Sequence, residues 1–289
     1  MMLYLILLPM LISMTLTAFL KDKLVRSRLI AVSMTSLSLL ISSVFFYVYF
    51  SKDLIENFSW FNIETYTFQI SFIANNLHLL MAVVVSFISL LILIFSVFYM
   101  RREKQENYYF EMSLFIFAML GLVVSNSFIL FYIFWELMSI SSYLLIGFWY
   151  EKEAASKAAK KALILTKVGD VSLLTAIIIL FANTGTLSIS ATLSGLSSIP
   201  QVYLTISAAL FIIAALSKSA QFPFYVWLPD AMEAPTTVSA LLHSATMVAS
   251  GAFLLIMIAP LMYVSGTMVY LVLISLITIF ISSLLALES

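Results

Sequence analysis

The chain reads as an all-α protein, a polytopic transmembrane bundle of about nine spans with one helix broken near Lys218. Three observations predict this. Hydrophobic residues make up 63% of the 289 positions and charged residues only 10%, with a mean hydropathy of +1.11, far outside the composition of soluble domains. Apolar runs of roughly 18 or more residues recur, each long enough to cross ~30 Å of hydrocarbon. The stretch Ser217–Met247 interrupts that pattern with Lys218, followed by Pro223, Pro229 and Pro235. Proline removes a backbone donor and clashes with the preceding turn, so the helix is expected to break there. Broken helices in a bilayer persist where they pack in protein or line a wet cavity. A lysine at such a break points to an ion path.

In order, spans are expected at about 2–20, 29–50, 77–100, 109–125, 127–149, 162–182, 202–229 (the broken one), 236–259 and 262–287. They form one transmembrane domain: three N-terminal spans over 1–108, a five-helix unit over 109–259 and a final span over 260–289. The first apolar run lacks a basic start and a small-residue cleavage site, so it is expected to be retained and not removed as a signal peptide. Connections are short apart from 51–76, where Phe-Asn-Ile-Glu-Thr-Tyr-Thr-Phe-Gln-Ile roughly alternates apolar and polar residues and suggests a small hairpin at the membrane surface. Glu151–Lys161, alanine-rich with Glu153 and Lys157 at i,i+4, reads either as a solvated connector or as an interfacial turn of helix.

The basic residues predict orientation. Lys21, Lys23, Arg26 and Arg28, then Arg101, Arg102 and Lys104, then Lys152, Lys157, Lys160 and Lys161 all fall in odd-numbered loops, and the even loops hold only Lys52. The odd loops should therefore face the cytoplasm and the N-terminus the outside. The formal net charge is zero and gives no reason to expect nucleic acid. There is no cysteine, which excludes disulfides and thiolate-held metal or iron–sulfur centres in this chain, and the two histidines are far apart. No cofactor and no metal are expected.

The remaining lysines, Lys167 and Lys218, lie within spans, as do several acids. Glu136 falls near the middle of the fifth span, where a charge costs ~3 kcal/mol even on insertion scales and needs a partner or water. It is either a protonated acid bonded to a nearby serine or carbonyl, or a carboxylate with Lys218 as its partner of opposite sign. Lys218 lies ~16 residues from the outer end of its span, too deep to snorkel with ease. A Lys–Glu pair whose separation changes would switch the lysine between holding and releasing a proton. Lys167 and Asp170 share a face of the sixth span at i,i+3, either as a self-contained pair that orients helices or as a modulator of Glu136 and Lys218. His243 is either a satisfied core residue or a proton relay. Around it, Thr236, Thr237, Ser239, Ser244 and Thr246 either hold a water chain or satisfy opened backbone. His78 reads as interfacial and structural. Asp230 either caps the next short helix or, with Glu233, gathers protons at a cytoplasmic mouth.

Phe-Trp-Glu-Leu-Met-Ser-Ile-Ser-Ser-Tyr-Leu-Leu-Ile-Gly-Phe (134–148), Thr-Lys-Val-Gly-Asp-Val (166–171), Gly-Thr-Leu (185–187), Lys-Ser-Ala-Gln-Phe-Pro-Phe-Tyr-Val-Trp-Leu-Pro-Asp-Ala-Met (218–232) and Ala-Pro-Thr-Thr-Val-Ser-Ala-Leu-Leu-His-Ser-Ala-Thr-Met-Val (234–248) resemble the antiporter-like subunits. Such subunits occur in respiratory complex I, multi-subunit sodium/proton antiporters, and archaeal membrane-bound hydrogenases and sulfur reductases. Order and spacing fit from about residue 77 onward, and the likeness is greatest to the largest, distal complex I subunit and its antiporter counterpart. The resemblance implies that Glu136 is the fifth-helix glutamate, Lys218 the lysine at the broken seventh, and His243 the relay on the eighth. It implies that Lys167 and Asp170 are a charged pair influencing the glutamate. It also makes 109–259 the first of two inverted five-helix repeats in a family of about fourteen helices. The second repeat is absent from this sequence, so the expectation is either that a separate chain supplies the exit half or that the subunit does not translocate alone.

The function expected is therefore a membrane subunit of a multi-subunit redox-driven ion pump or cation/proton antiporter in the plasma membrane of a bacterium or archaeon. It would contribute a cytoplasm-facing proton half-channel and do no redox chemistry itself. Its expected partners are other membrane subunits, one of them supplying the second half-channel, the lipid bilayer, protons and Na+. The alternative is a scaffold subunit that docks its neighbours without moving ions. An independent transporter of an organic substrate is disfavoured, because no second repeat is present to rock against.

Overall fold

The computed structural model describes residues 3–20, 24–63, 66–102, 107–244 and 246–288. Lys21, Lys23, Lys104, Glu64, Thr65 and Ala245, all invoked above, lie outside them. Among the described residues, seven helical segments, Thr236–Met257 counted as one, are long and apolar enough to cross a membrane, and two shorter apolar helices, Leu8–Phe19 and Tyr108–Val124, stand at the first and fourth expected spans. The bundle is all-α apart from one hairpin, as the hydropathy pattern predicts.

After a 3-10 turn, Leu3–Ile6, come α1 (Leu8–Phe19) and α2 (Leu24–Val48), which pack together. Serine and threonine side chains let them approach: Ser38 Oγ donates to the Ile6 carbonyl at 3.0 Å, and Thr35 lies against Met10. The expected hairpin is present as β1 (Leu54–Ile63) antiparallel to β2 (Tyr66–Ala74), with Leu54 opposite Ala74 and an irregularity between Ser59 and Phe61. The backbone of Leu3 donates to Glu56 Oε2 at 3.0 Å, tying the hairpin to the start of the chain.

α3 (Asn76–Tyr99) is capped by Asn75, whose Oδ1 accepts from the His78 amide at 3.0 Å and contacts His78 Nδ1 at 2.6 Å. α4 (Tyr108–Val124) is buried along almost its whole length because α1, α3 and α5 (Phe128–Ile146) surround it. The turn between α4 and α5 is a clasp. The Asn126 amide donates to Ser71 Oγ of β2 at 3.0 Å and to Ser190 Oγ at 3.1 Å, its Oδ1 accepts from the Ser190 amide at 3.2 Å, and its backbone N–H reaches the Ser71 carbonyl at 2.8 Å.

α6 (Glu153–Thr184) has 32 residues, ~48 Å at 1.5 Å each, more than a bilayer needs. Of the two readings of Glu151–Lys161, the helical one holds: from Glu153 onward it forms the first turns of α6. Ala155, Ala158, Ala159 and Ala162 along one face are buried and Ala154 is exposed, while Lys157 pairs with Glu153 at 2.6 Å in solvent. α6 ends at Gly185, whose φ of 67° suits a residue without a Cβ, and whose N–H reaches the Phe181 carbonyl at 2.8 Å. The short α7 (Ile189–Ser194) is capped by Ser188.

α8 (Gln201–Lys218) lies between α6 and α10 (Met247–Met257), and both approaches depend on glycine. A Cβ on Gly169 of α6 would overlap the Ser217 hydroxyl, and one on Gly251 of α10 would come within 2.6 Å of the Ala215 carbonyl oxygen. The break is where the sequence places it, but its cause differs. α8 stops at Lys218, before any proline. The Ser219 N–H bonds the Ala215 carbonyl, the Gln221 N–H bonds the Leu216 carbonyl, both at 2.9 Å, and Ala220 takes φ +49° between them. Two 3-10 turns follow, Phe224–Trp227 and Asp230–Glu233, in place of a continuing α-helix.

The eighth span is also interrupted, which no sequence signal predicts. α9 (Thr236–Ser244) and α10 are separate helices, and Thr246, with φ −123° and ψ −93°, bonds its hydroxyl to the Leu241 carbonyl. α11 (Ala259–Ser265) closes at Gly266, φ +72°, and α12 (Met268–Glu288) follows. The ninth span, expected from 262, therefore starts six residues later. α12 is largely exposed and is tied back by the Phe222 N–H donating to Thr278 Oγ1 at 3.1 Å.

Candidate functional site

Residues from α5, α6 and α8 meet in the middle of the bundle. Lys218, the last residue of α8, is fully buried, as is Asp170 of α6. Lys218 Nζ lies 3.3 Å from Asp170 Oδ1 and bonds Ser139 Oγ of α5. Asp170 Oδ1 also accepts from Trp135 Nε1 at 2.7 Å, and Oδ2 accepts from Ser139 Oγ at 3.0 Å and lies 3.4 Å from Lys167 Nζ. Four donors thus surround one carboxylate, about as many as its lone pairs accept. The Lys218 ammonium also sits 5.2 Å from the centre of the Trp135 ring.

This corrects the expected pairing. Glu136 and Lys218 do not form an ion pair among the described residues. Glu136 Oε2 bonds Lys167 instead, and Oε1 accepts from Tyr132 at 2.8 Å. Lys167 and Asp170 are not self-contained either, because each also reaches to another helix. The physical reason is the tight α6–α8 contact, which sets Asp170, next to Gly169, against Lys218, next to Ser217. The result is a row of alternating charge, Lys218–Asp170–Lys167–Glu136, with no net charge. Burial falls along it: Lys218 and Asp170 are enclosed, whereas the Glu136 and Lys167 side chains are 21% and 42% exposed. A buried charge without a partner is costly, and each charge here has one of opposite sign.

His243 of α9 lies beyond the end of α8. Both its ring nitrogens are buried without a hydrogen-bond partner among the described residues, as is Ser239 Oγ one turn earlier. Trp227 stands between His243 and α8: its ring centre is 6.1 Å from that of His243, and its Nε1 donates to the Ser217 carbonyl at 3.0 Å. Thr236 and Thr237 are occupied by tyrosines, Tyr99 at 3.0 Å and Tyr108 at 2.7 Å. His78 stays with its cap and packs edge-on against Phe253 at 5.3 Å. Asp230 does not cap the following helix; its Oδ2 takes Lys161 Nζ of α6 at 2.7 Å, half-exposed, beside the exposed Glu233.

Sequence reasoning missed Trp135, Ser139, Trp227, Gly169 and Gly251. Trp135 and Ser139 carried a usable signal, because i,i+4 spacing puts an indole N–H and a hydroxyl on one face of α5, beside Glu136.

Comparison with known proteins adds the family. A family profile described as "NADH:quinone oxidoreductase/Mrp antiporter, TM" matches residues 125–289, and one described as "NADH-Ubiquinone oxidoreductase (complex I), chain 5 N-terminus" matches 60–110. A Na(+)/H(+) antiporter subunit A1 of Staphylococcus epidermidis is 48% identical over 197 residues, covering 67% of this chain and 25% of that one. The chloroplastic NAD(P)H-quinone oxidoreductase subunit 5 of Ipomoea purpurea is 41% identical over 237 residues, covering 79% of this chain and 33% of that one. The chain thus spans a quarter to a third of the length of these relatives. In the structure of the Mrp complex from Dietzia sp. DQ12-45-1b, one chain superposes with a TM-score of 0.77 at 28% identity, over 88% of this chain and 28% of that one. An archaeal membrane-bound sulfane sulfur reductase gives the same TM-score at 22% identity, over 93% of this chain and 53% of that one, a likeness of fold alone.

Proposed function

Because the chain belongs to the NADH:quinone oxidoreductase/Mrp antiporter transmembrane family, we propose that it is a membrane subunit of a multi-subunit cation/proton antiporter or redox-driven pump and contributes a proton half-channel. The observation that carries the reading is the enclosed Lys218, held by Asp170 and Ser139 at the end of a helix that stops inside the bundle. Protons enter from the end carrying Lys161, Asp230 and Glu233, taken as the cytoplasmic face with the N-terminus outside. Lys218 holds the proton, and the row Asp170–Lys167–Glu136 sets how firmly it does so. His243 is the relay beyond it, and its unpartnered ring nitrogens favour water or a moving partner at that site. The membrane is the plasma membrane of a bacterium or archaeon. Neighbouring membrane subunits complete the route, one of them supplying the exit half, and Na+ is the counter-ion if the complex is an antiporter.

The test is Lys218→Ala and Glu136→Ala in the complete complex, with proton and Na+ uptake measured in membrane vesicles. Loss of transport with normal assembly is expected. If both variants transport at the wild-type rate, the chain is a scaffold for its neighbours.

A further inference from the structure

Two uncharged side chains hold the charged row together, and neither is explained by packing alone. Trp135 and Ser139 lie one turn apart on α5, both buried, facing the gap between Lys218 and Asp170. The Lys218 ammonium hydrogen-bonds Ser139 Oγ as well as facing the carboxylate. Ser139 Oγ in turn lies 3.0 Å from Asp170 Oδ2, with the geometry of a donor. The direct approach of Lys218 is to the other oxygen, Oδ1, at 3.3 Å, and that oxygen is already bonded by the Trp135 indole at 2.7 Å. An ammonium only donates and a carboxylate only accepts, whereas a hydroxyl does both at once.

We infer that Ser139 is the hydroxyl through which a proton passes between Lys218 and Asp170, and that Trp135 is a positioning residue that fixes Asp170 to receive it. The inference rests on the half-channel reading above. In the step, one N–H bond of the ammonium breaks and its electron pair stays on Nζ. Ser139 Oγ gains that hydrogen as its own O–H breaks, and Asp170 Oδ2 forms the new O–H. One proton has moved, the serine is regenerated, and an ion pair has become a neutral amine and a neutral acid. Total charge is unchanged, so the step places no unpaired charge in a dry interior. Trp135 serves both ends: its N–H fixes the carboxylate, and its ring face lies 5.2 Å from the ammonium.

The experiment compares Ser139→Ala, Ser139→Thr, Trp135→Phe and Lys218→Ala in the complete complex, reading proton uptake into vesicles with a pH dye in H2O and in D2O, with subunit content checked on gels. Ser139→Ala is expected to slow uptake about tenfold, the rate equivalent of losing one hydrogen bond to a charged group, and to raise the H2O/D2O rate ratio. Ser139→Thr keeps the hydroxyl and should restore both. Trp135→Phe keeps the ring and loses the N–H, and should slow uptake without changing subunit content. Wild-type uptake and isotope ratio in Ser139→Ala, alongside loss in Lys218→Ala, overturn the relay and leave the half-channel standing. Wild-type uptake in Lys218→Ala overturns the half-channel itself. Should Ser139→Ala fail to assemble, Ser139→Val, of the same shape as the threonine but with no proton to pass, replaces it, and a wild-type rate there overturns the relay.

Discussion

Gly169 of α6 and Ser217 of α8 meet with no room for a methyl group: a Cβ on Gly169 would overlap the Ser217 hydroxyl and lie 2.7 Å from Ser217 Cβ and 3.2 Å from Ala214 Cα. The residues that follow them in sequence, Asp170 and Lys218, are the buried ion pair. The contact therefore sets the 3.3 Å separation of those charges. Gly169→Ala is expected to cost ~1–3 kcal/mol of stability from overpacking and to abolish transport by moving Asp170 off Lys218. Adding Ser217→Gly should recover part of both. Thermal unfolding in detergent and vesicle uptake read the two effects separately.

The two aspartates facing lysines differ in depth, and their variants should differ accordingly. Asp170→Asn leaves two ammonium groups around a neutral amide in a closed interior, and should lower stability by ~3–5 kcal/mol. Asp170→Asn combined with Lys218→Met removes the stranded charge and should restore much of the stability without restoring transport. Asp230→Asn breaks a pair whose members are 45% and 43% exposed, and should change stability by less than ~1 kcal/mol. An Asp230→Asn loss as large as that of Asp170→Asn would contradict this ranking.

Ala220 occupies a left-handed position that glycine usually fills at the end of a helix. An L-residue there costs roughly 1–2 kcal/mol. Ala220→Gly should raise the unfolding midpoint in detergent, and Ala220→Val, bulkier and β-branched, should lower it.

Trp227 satisfies the Ser217 carbonyl at the buried C-terminal end of α8. Trp227→Phe keeps the ring but leaves that carbonyl without its donor, at a cost of ~1–3 kcal/mol. The expected signature is faster backbone hydrogen exchange in the last turn of α8, with the other helices unchanged.

Most of the architecture was legible in the sequence because hydropathy reports burial in lipid directly. The spans, the hairpin and the membrane positions of Glu136, Lys167, Asp170 and Lys218 could be read that way, whereas the break near Lys218 was expected from the prolines that follow it and Glu111, buried in α4, was passed over. Pairing could not. Lys167 and Asp170 look closed at i,i+3, and nothing local says that Asp170 also reaches α8. That depends on Gly169 and Ser217 lying in register across a helix crossing, a relation between segments about fifty residues apart. The second interruption was hidden for a related reason. Residues 241–248 hold neither proline nor glycine, and the Thr246 hydroxyl beside the stop between α9 and α10 bonds the Leu241 carbonyl five residues back, a contact that no local pattern announces.

Asn126 bonds partners 55 residues before it and 64 residues after it. During synthesis Ser71 emerges first and Ser190 last, so the amide waits incomplete until the turn beyond α6 arrives. The clasp therefore cannot be complete until the chain has been made as far as Ser190, by which point α5 and α6, two of the three helices that carry the charged row, have been synthesised.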